Sequence, residues 1–401
     1  MTASLYIHIP FCGSENGKRC DYCDFFSVPI YANNNNALLD SFVEAALDDV
    51  KDQISVFNIY EIPTIYIGGG TPSVLGPNRM RRLLDGLTLL APVKKPSAEF
   101  TVEANPESVD KPFLQACIDG GVNRISLGIQ SFHAPSRQAV NRAGGLSSRD
   151  LEESLSLAAE FFPGAFSADL ISGLPYSTAK ILLNDIKRLL AFNISHVSLY
   201  SLILEAETPL GKKVSQKEVS ALPQGDEADS LWIAGRNALE KSGLVQYEVS
   251  NFALPGKERA HNIRYWRMEN WLGIGPSASG TLIDEAAGVG KRFTYPSDIA
   301  AYLTAERPRI RSSRAEELNR QDLLQETLLM GFRCREGPDP NLFRQRFGCG
   351  IEDCIPNTIT RWQKRGFFAE NRRRLAPSRE GLLFLNSFLR DAFAEIQNDR
   401  W

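Results

Sequence analysis

Six short apolar runs, each followed by a helical pattern, recur along about the first 200 residues. Ser4–Pro10, Thr64–Gly68, Glu99–Glu103, Arg124–Ile129, Phe166–Ile171 and His196–Ser201 are rich in β-branched and aromatic residues and read as strands. Ala37–Ile54, Asn78–Leu90, Lys111–Asp119, Ser148–Phe161 and Ala179–Ala191 read as helices. The first carries Leu38, Leu39, Phe42, Ala45, Ala46, Val50 and Ile54 on one face. Strands separated by helices must pair in parallel through crossovers, which leaves a doubly wound sheet or a barrel. Gly68-Gly69-Gly70-Thr71, Glu103, Gln130 and Asp169 stand at or just past the C-terminal ends of different strands. A barrel gathers such positions at one mouth, whereas an open sheet gathers fewer at its switch point.

The expected fold is therefore α/β, a partial (β/α)6 TIM-like barrel with its extension over residues 1–285. Beyond it, Asp226–Ser242 reads as a helix, Gln246–Ser250 as a short strand and Trp271–Gly280 as a small-residue loop. Residues 286–315, ending in the polar Glu306–Arg314, read as a linker. Helices, a Gly turn and a short hairpin over 316–401 suggest a small winged-helix-like α+β domain.

Lys plus Arg is 45 and Asp plus Glu is 48, so the 401-residue chain has a formal charge of −3. That balance gives no general affinity for nucleic acid. The basic run Arg372-Arg373-Arg374, with Lys364 and Arg365, reads as a solvated hairpin. No apolar run approaches the ~18 residues of a membrane span, and Met1–Ser4 leads straight into a strand without a signal peptide. A cytoplasmic protein is expected, with peripheral membrane contact left open.

Of the seven cysteines, Cys117, Cys334, Cys349 and Cys354 are scattered, but Cys12, Cys20 and Cys23 fall within twelve residues. Soft thiolates suit zinc or an iron–sulfur cluster. Zinc wants a fourth ligand, which His8 could supply. A cubane held by three thiolates leaves one iron open for a small molecule. Unliganded thiols are the third reading, and the residues alone do not choose among them.

Tyr6-Ile7-His8-Ile9-Pro10-Phe11-Cys12 and Cys20-Asp21-Tyr22-Cys23-Asp24-Phe25 resemble the start of the oxygen-independent coproporphyrinogen III oxidase family of radical S-adenosylmethionine (SAM) proteins. Gly68–Ser73, Glu103–Pro106, Leu127–Phe132, Asn141-Arg142, Asp169–Pro175, Tyr247–Ala253 and His261–Trp266 follow in the family's order. The true oxidases carry a further cysteine where this chain has Phe25. The Cys-Asp-Phe ending and His261-Asn262-Ile263-Arg264-Tyr265-Trp266 are similar to the heme chaperone branch. The family separates its first two cysteines by three residues, and here seven intervene. Relatives commonly have a His within the segment that reads Ala143-Gly144-Gly145 here.

The resemblance implies a radical SAM barrel with a C-terminal domain of the family's own type. It further implies a [4Fe–4S] cluster on Cys12, Cys20 and Cys23 whose open iron takes SAM. The turn Gly69-Gly70-Thr71 would receive the methionyl amino group, and Glu103, Gln130, Arg142 and Asp169 would hydrogen-bond the carboxylate, ribose or amino group of SAM. Tyr6 and Tyr22 would border the cofactor. In the chaperone branch heme is carried to an acceptor such as a respiratory protein, with His261 the expected axial ligand and Tyr265 and Trp266 flanking the macrocycle. An anaerobic coproporphyrinogen oxidase and a zinc-stabilised binding protein are the alternatives, so whether the chain is an enzyme stays open.

Overall fold

The structure, a computed structural model, describes residues 1–13, 19–30, 35–94, 97–142, 145–219, 222–370 and 374–398. Six parallel strands form its centre: β1 (Ser4–Ile9), β2 (Thr64–Gly69), β3 (Glu99–Ala104), β4 (Arg124–Gln130), β5 (Phe166–Ser172) and β6 (His196–Ser201). They lie side by side in chain order. The crossovers are α1 (Asn36–Val56), α2 (Gly76–Leu90), α3 (Lys111–Asp119), α4 (Ser148–Phe161) and α5 (Ala179–Leu190). Their starts are specified locally. Asp110 accepts the Phe113 N–H at the head of α3, and Ser147 and Asp150 cap α4 reciprocally.

Side-chain alternation explains what each strand face does. In β1, Leu5, Ile7 and Ile9 are fully buried in the main core, as are Ile65, Ile67 and Val102 in the next two strands. The opposite face presents Tyr6, His8, Tyr66, Glu103, Ser126, Gln130, Asp169 and Ser198. Barrel interiors are usually packed with branched apolar side chains. This one is polar, and polar groups taken out of water need partners or a ligand.

The sheet continues beyond the six strands. Val245–Gln246 (β7) and Asn251–Ala253 (β8) add antiparallel beside β6. On the other edge Trp271–Ile274 (β9) pairs parallel with β1, followed by antiparallel Ser279–Asp284 (β10), Val289–Thr294 (β11) and Arg314–Leu318 (β12). The full order is β12-β11-β10-β9-β1-β2-β3-β4-β5-β6-β8-β7.

Two expectations are corrected here. Trp271–Gly280 is not a loop: it supplies β9 and the start of β10. A Cβ on Gly273 would stand 2.5 Å from the Ser279 backbone, so the glycines permit close strand approach. Residues 286–315 are not a linker, because they supply β11 and helix Ile299–Thr304 and pack Tyr295, Ile299, Tyr302 and Ile310 into the barrel core.

The anchor of that stretch is Asp49 on α1, fully buried and accepting hydrogen bonds from Tyr295 Oη (2.7 Å), Tyr302 Oη (2.9 Å) and Gln53 Nε2 (3.2 Å). Burial pushes its carboxyl up to about 6, against the pull of these donors. A folded-state value above the ordinary ~4 contributes stability below pH ~4 that is lost as pH rises through about 6. Denaturant unfolding should therefore show the parent losing on the order of 2–3 kcal/mol between pH 4 and 7 relative to Asp49→Asn.

A second core gathers the C-terminal helices Arg320–Gly331, Pro340–Phe347, Pro356–Gln363 and Leu385–Asn398 around Phe332, Phe343, Trp362, Phe367 and Phe388. Met268, Trp271 and Ile283 of the barrel extension join that core. A bridge between Phe368 and Pro377 closes the hairpin. Arg372 and Arg373 of the basic run lie outside the described residues. No described helix is long and apolar enough to cross a membrane.

Candidate functional site

Cys12 follows β1 in a short strand, Phe11–Gly13, that pairs in parallel with Val28–Ile30. This pair ties down both ends of the cysteine loop. Residues 14–18, most of the seven that separate Cys12 from Cys20, lie outside the described residues. Arg19 closes the loop's second half, donating from Nη1 to Phe25 O (2.9 Å) and Ser27 O (3.3 Å) and from Nη2 to Cys23 O (3.4 Å). The Cys23 N–H bonds to Cys20 O at 3.1 Å, so the last two cysteines sit on one turn.

The glycine turn after β2 holds that loop against the barrel. The Gly70 N–H donates to Ile9 O (2.8 Å) and the Thr71 N–H to Phe11 O (2.7 Å). A Cβ on Gly70 would lie 2.4 Å from Phe11 O, and Gly69 adopts φ +101°. Only glycine tolerates both demands. Gly70→Ala should push the Cys12 strand away at a cost of about 1–3 kcal/mol. Iron retention after reconstitution should then fall well below the parent's while the circular dichroism spectrum is kept.

A hydrogen-bonded chain runs from the cysteines into the strand ends. Thr71 Oγ1 donates to Cys12 Sγ at 3.7 Å, and Asn105 Nδ2 donates to Thr71 Oγ1 at 2.9 Å. Arg142 Nη2 donates to Asn105 Oδ1 at 2.8 Å and also to Gly128 O, while its Nη1 reaches Cys20 Sγ at 3.8 Å. Cys12 and Cys20 thus hang from one network. Burial pushes the Cys23 thiol up to about 11, and the neighbouring Cys20 and Cys12 add to the rise. Among the described residues, no three His, Cys, Asp or Glu side chains already stand as a closed metal site, and Cys12 Sγ donates to Ser27 Oγ at 3.2 Å. The donor set fits a cluster in its chemistry: three thiols without disulfide partners, with Thr71 directed at the sulfur of Cys12 and Arg142 at that of Cys20. Residues 143–144 of Ala143-Gly144-Gly145, beside Arg142, lie outside the described residues.

Glu103 accepts from Tyr66 Oη (2.5 Å) and the Gly69 N–H (3.2 Å). Burial pushes its carboxyl up to about 7, and nearby Asp169 raises it further. Asp169 is itself pushed up to about 6 by burial, and Ser198 and Ser126 hydrogen bonds oppose the rise. Two carboxyls forced towards neutrality at one barrel mouth are placed for a cationic ligand. Gln130 sits where β4 skips a residue, Gly128 pairing with Asp169 and Gln130 with Leu170, and has φ +64°. Such a backbone costs of order 1 kcal/mol in a non-glycine residue and re-aims the side chain. Tyr6 Oη bonds His8 Nδ1 at 2.9 Å, and His8 Nε2 bonds Phe26 O at 2.8 Å, which links the barrel interior to the cysteine loop. These residues and Asp24, Phe25, Tyr265 and Trp271 line a cavity of about 460 Å³. Tyr22 packs with Val140, Ile171, Leu174 and Leu210 on the loop's other side.

His261 lies at the opposite end. Its Nδ1 bonds Thr64 Oγ1 at 2.8 Å and its N–H donates to Glu99 Oε1 at 3.0 Å, both at the first residues of their strands. The ring stacks on Tyr66 with centroids 5.1 Å apart and is 2% exposed. Burial lowers its pKa to about 3, so the ring is neutral. His261 closes the barrel floor and does not line the 460 Å³ cavity. Its Nε2 is buried without a hydrogen-bond partner.

Asn105, Tyr66 and Arg19 escaped selection from sequence, and His8, weighed there as a zinc ligand, bonds Tyr6 and Phe26 O. Tyr66 stands two residues before Gly68 and so on the same strand face, a signal that period-two alternation carries.

Residues 6–189 match the radical SAM superfamily and residues 318–384 the HemN C-terminal domain. The heme chaperone HemW of Lactococcus lactis is 33% identical over 379 residues, covering 94% of each chain. The chain belongs to the HemW family of radical SAM proteins. A second relative, radical S-adenosyl methionine domain-containing protein 1 of Bos taurus, is 32% identical across 98% of this chain and 88% of its own. The coproporphyrinogen III oxidase HemN of Escherichia coli superposes with a TM-score of 0.80 over 97% of this chain and 89% of its own, at 20% identity. The fold is shared with that radical SAM enzyme. Membership of the superfamily implies a [4Fe–4S] cluster and SAM.

Proposed function

We propose that the chain is a HemW-type heme chaperone whose barrel mouth holds a [4Fe–4S] cluster and SAM and which carries heme to an acceptor such as a respiratory protein. One observation supports the site most: Arg142 joins the cysteine network to the barrel interior that holds the buried pair Glu103 and Asp169, reaching Cys20 Sγ and the O of Gly128, the strand partner of Asp169. Cys12, Cys20 and Cys23 would hold the cluster, which supplies electrons and an open iron position to SAM. Glu103 and Asp169 would carry negative charge to the cationic amino end of SAM. Arg142 would hold the Gly128 strand end and the Cys20 sulfur in fixed relation, and Gln130 would reach the cofactor from its bulge. Tyr6 and Tyr22 wall the site on either side of the cysteine loop.

Anaerobic incubation of the reconstituted protein with coproporphyrinogen III and SAM, set beside a heme titration, tests this reading. Stable heme uptake with no vinyl product is expected. Vinyl products without heme uptake would replace it with the oxidase.

A further inference from the structure

Two cysteines that the barrel site does not use, Cys349 and Cys354, stand together in the C-terminal unit with their sulfurs 3.5 Å apart. Both are free thiols. The backbone between them explains the meeting. Gly350 heads a single helical turn, Ile351–Cys354, and its N–H donates to Asp353 Oδ2 at 2.8 Å. The Asp353 N–H returns to Gly350 O at 3.2 Å. That turn brings Cys354 back over Gly350, whose O accepts from Cys354 Sγ at 3.4 Å, and so beside Cys349. Cys354 is fully buried in the second core, whereas Cys349 is half-buried and open to solvent on one side. Gly348, just before Cys349, takes φ +66° at the end of helix Pro340–Phe347, and a Cβ there would meet nothing within 4 Å. The segment that carries the outer sulfur has room to turn, while the inner sulfur is fixed by packing.

We propose that Cys349 and Cys354 are a reversible dithiol–disulfide pair that responds to the thiol–disulfide balance around the protein, with Cys349 the attacking and Cys354 the resolving thiol. The oxidant is a low-molecular-weight disulfide such as oxidised glutathione. The Cys349 sulfur attacks one sulfur of the oxidant and forms a mixed disulfide, and the expelled thiolate takes the Cys349 proton. The Cys354 sulfur then attacks Cys349 Sγ and closes the protein disulfide, and the second expelled thiolate takes the Cys354 proton. Two protein thiols are oxidised by two electrons, and one external disulfide is reduced to two thiols. Exposure sets the order, because attack begins at the sulfur that solvent reaches. Where most thiols are kept reduced, disulfides are transient and redox-sensing rather than structural. The location gives closure a consequence. Arg346, three residues before Cys349, is buried and grips the Glu285 carboxylate in the β10–β11 turn at 2.7 and 2.8 Å, and it donates to Met268 O at 3.1 Å. A disulfide fastens the chain just past this clamp between the C-terminal unit and the barrel extension. The pair stands apart from the cluster site and from the heme-carrying reading.

Anaerobic equilibration of the full-length reconstituted protein with mixtures of oxidised and reduced glutathione, followed by acid quench, alkylation and tryptic digestion, tests the pair. Both cysteines, and no others, fall in the tryptic peptide Phe347–Arg361. From oxidised mixtures that peptide should return unalkylated and two hydrogens lighter than the dithiol, and dithiothreitol should restore both alkyl groups. Because the fold holds the sulfurs in contact, half-closure should come at a glutathione ratio at least about tenfold more reducing than for the isolated synthetic peptide. Cys354→Ser should stop with one glutathione on Cys349, and Cys349→Ser should leave Cys354 unmodified. A parent peptide that keeps both alkyl groups, that halts with glutathione attached, or that closes at the free peptide's ratio overturns the proposal, whatever the variants do.

Discussion

Replacing Cys12, Cys20 or Cys23 with Ala is expected to abolish cluster assembly, whereas Cys117→Ala should leave it intact. Cys117 lies in the barrel core at 0% exposure, its thiol pushed far up by burial alone, and touches no part of the cysteine network. A cubane left with two protein thiolates loses iron readily. Anaerobic reconstitution followed by iron and acid-labile sulfide analysis should show near-complete loss in each of the three variants. A Cys20→Ala protein with the parent's cluster absorbance would mean that the long Cys12–Cys20 loop does not deliver Cys20 to the site. The energetic contrast is large because a metal–thiolate bond contributes to folding of the loop as well as to binding.

The second large effect is on SAM. Glu103→Ala removes a carboxylate that Tyr66 and the Gly69 N–H hold in place at the mouth. Hydrogen bonds to charged groups are worth about 1.5–3 kcal/mol, or roughly a ten- to hundredfold loss of affinity. Asp169→Ala should act in the same direction, and neither substitution removes apolar packing from the core. Because burial holds Glu103 near 7, SAM affinity should also fall as pH drops below about 7 and the carboxylate takes a proton. Asp169, near 6, extends the fall to lower pH. Glu103→Gln should flatten the upper part of that profile. Equilibrium binding by ultrafiltration at pH 6 and 8 reads both effects, and unchanged affinity in Glu103→Ala and Asp169→Ala would remove these residues from the site.

The six β/α units were legible because each strand and helix carries its own period, and α3 and α4 span the ranges read from that pattern, Lys111–Asp119 and Ser148–Phe161. The strand-end residues were legible for the same reason: a polar residue closing an apolar strand is conspicuous. What escaped is non-local. Gly273 reads as a loop former until the Ser279 backbone is seen to occupy the space of its missing Cβ. Tyr295 and Tyr302 read as parts of a linker because their partner, Asp49, lies some 250 residues earlier. Asn105 was visible within a motif but not as the joint between Arg142 and Thr71, a role set by three strand ends meeting. The resemblance implies His261 as an axial ligand. Its position at the barrel floor follows from the helix packing against Thr64 and Glu99, which no local pattern encodes.

The central claim is that three thiolates hold an open iron–sulfur cluster beside a SAM-binding mouth. Metal and sulfide analysis of the anaerobically reconstituted chain, with its absorbance recorded before and after SAM, tests it most directly. About four iron and four sulfide per chain, no zinc and a spectrum perturbed by SAM are predicted. One zinc per chain, with a spectrum that SAM leaves unchanged, would contradict it.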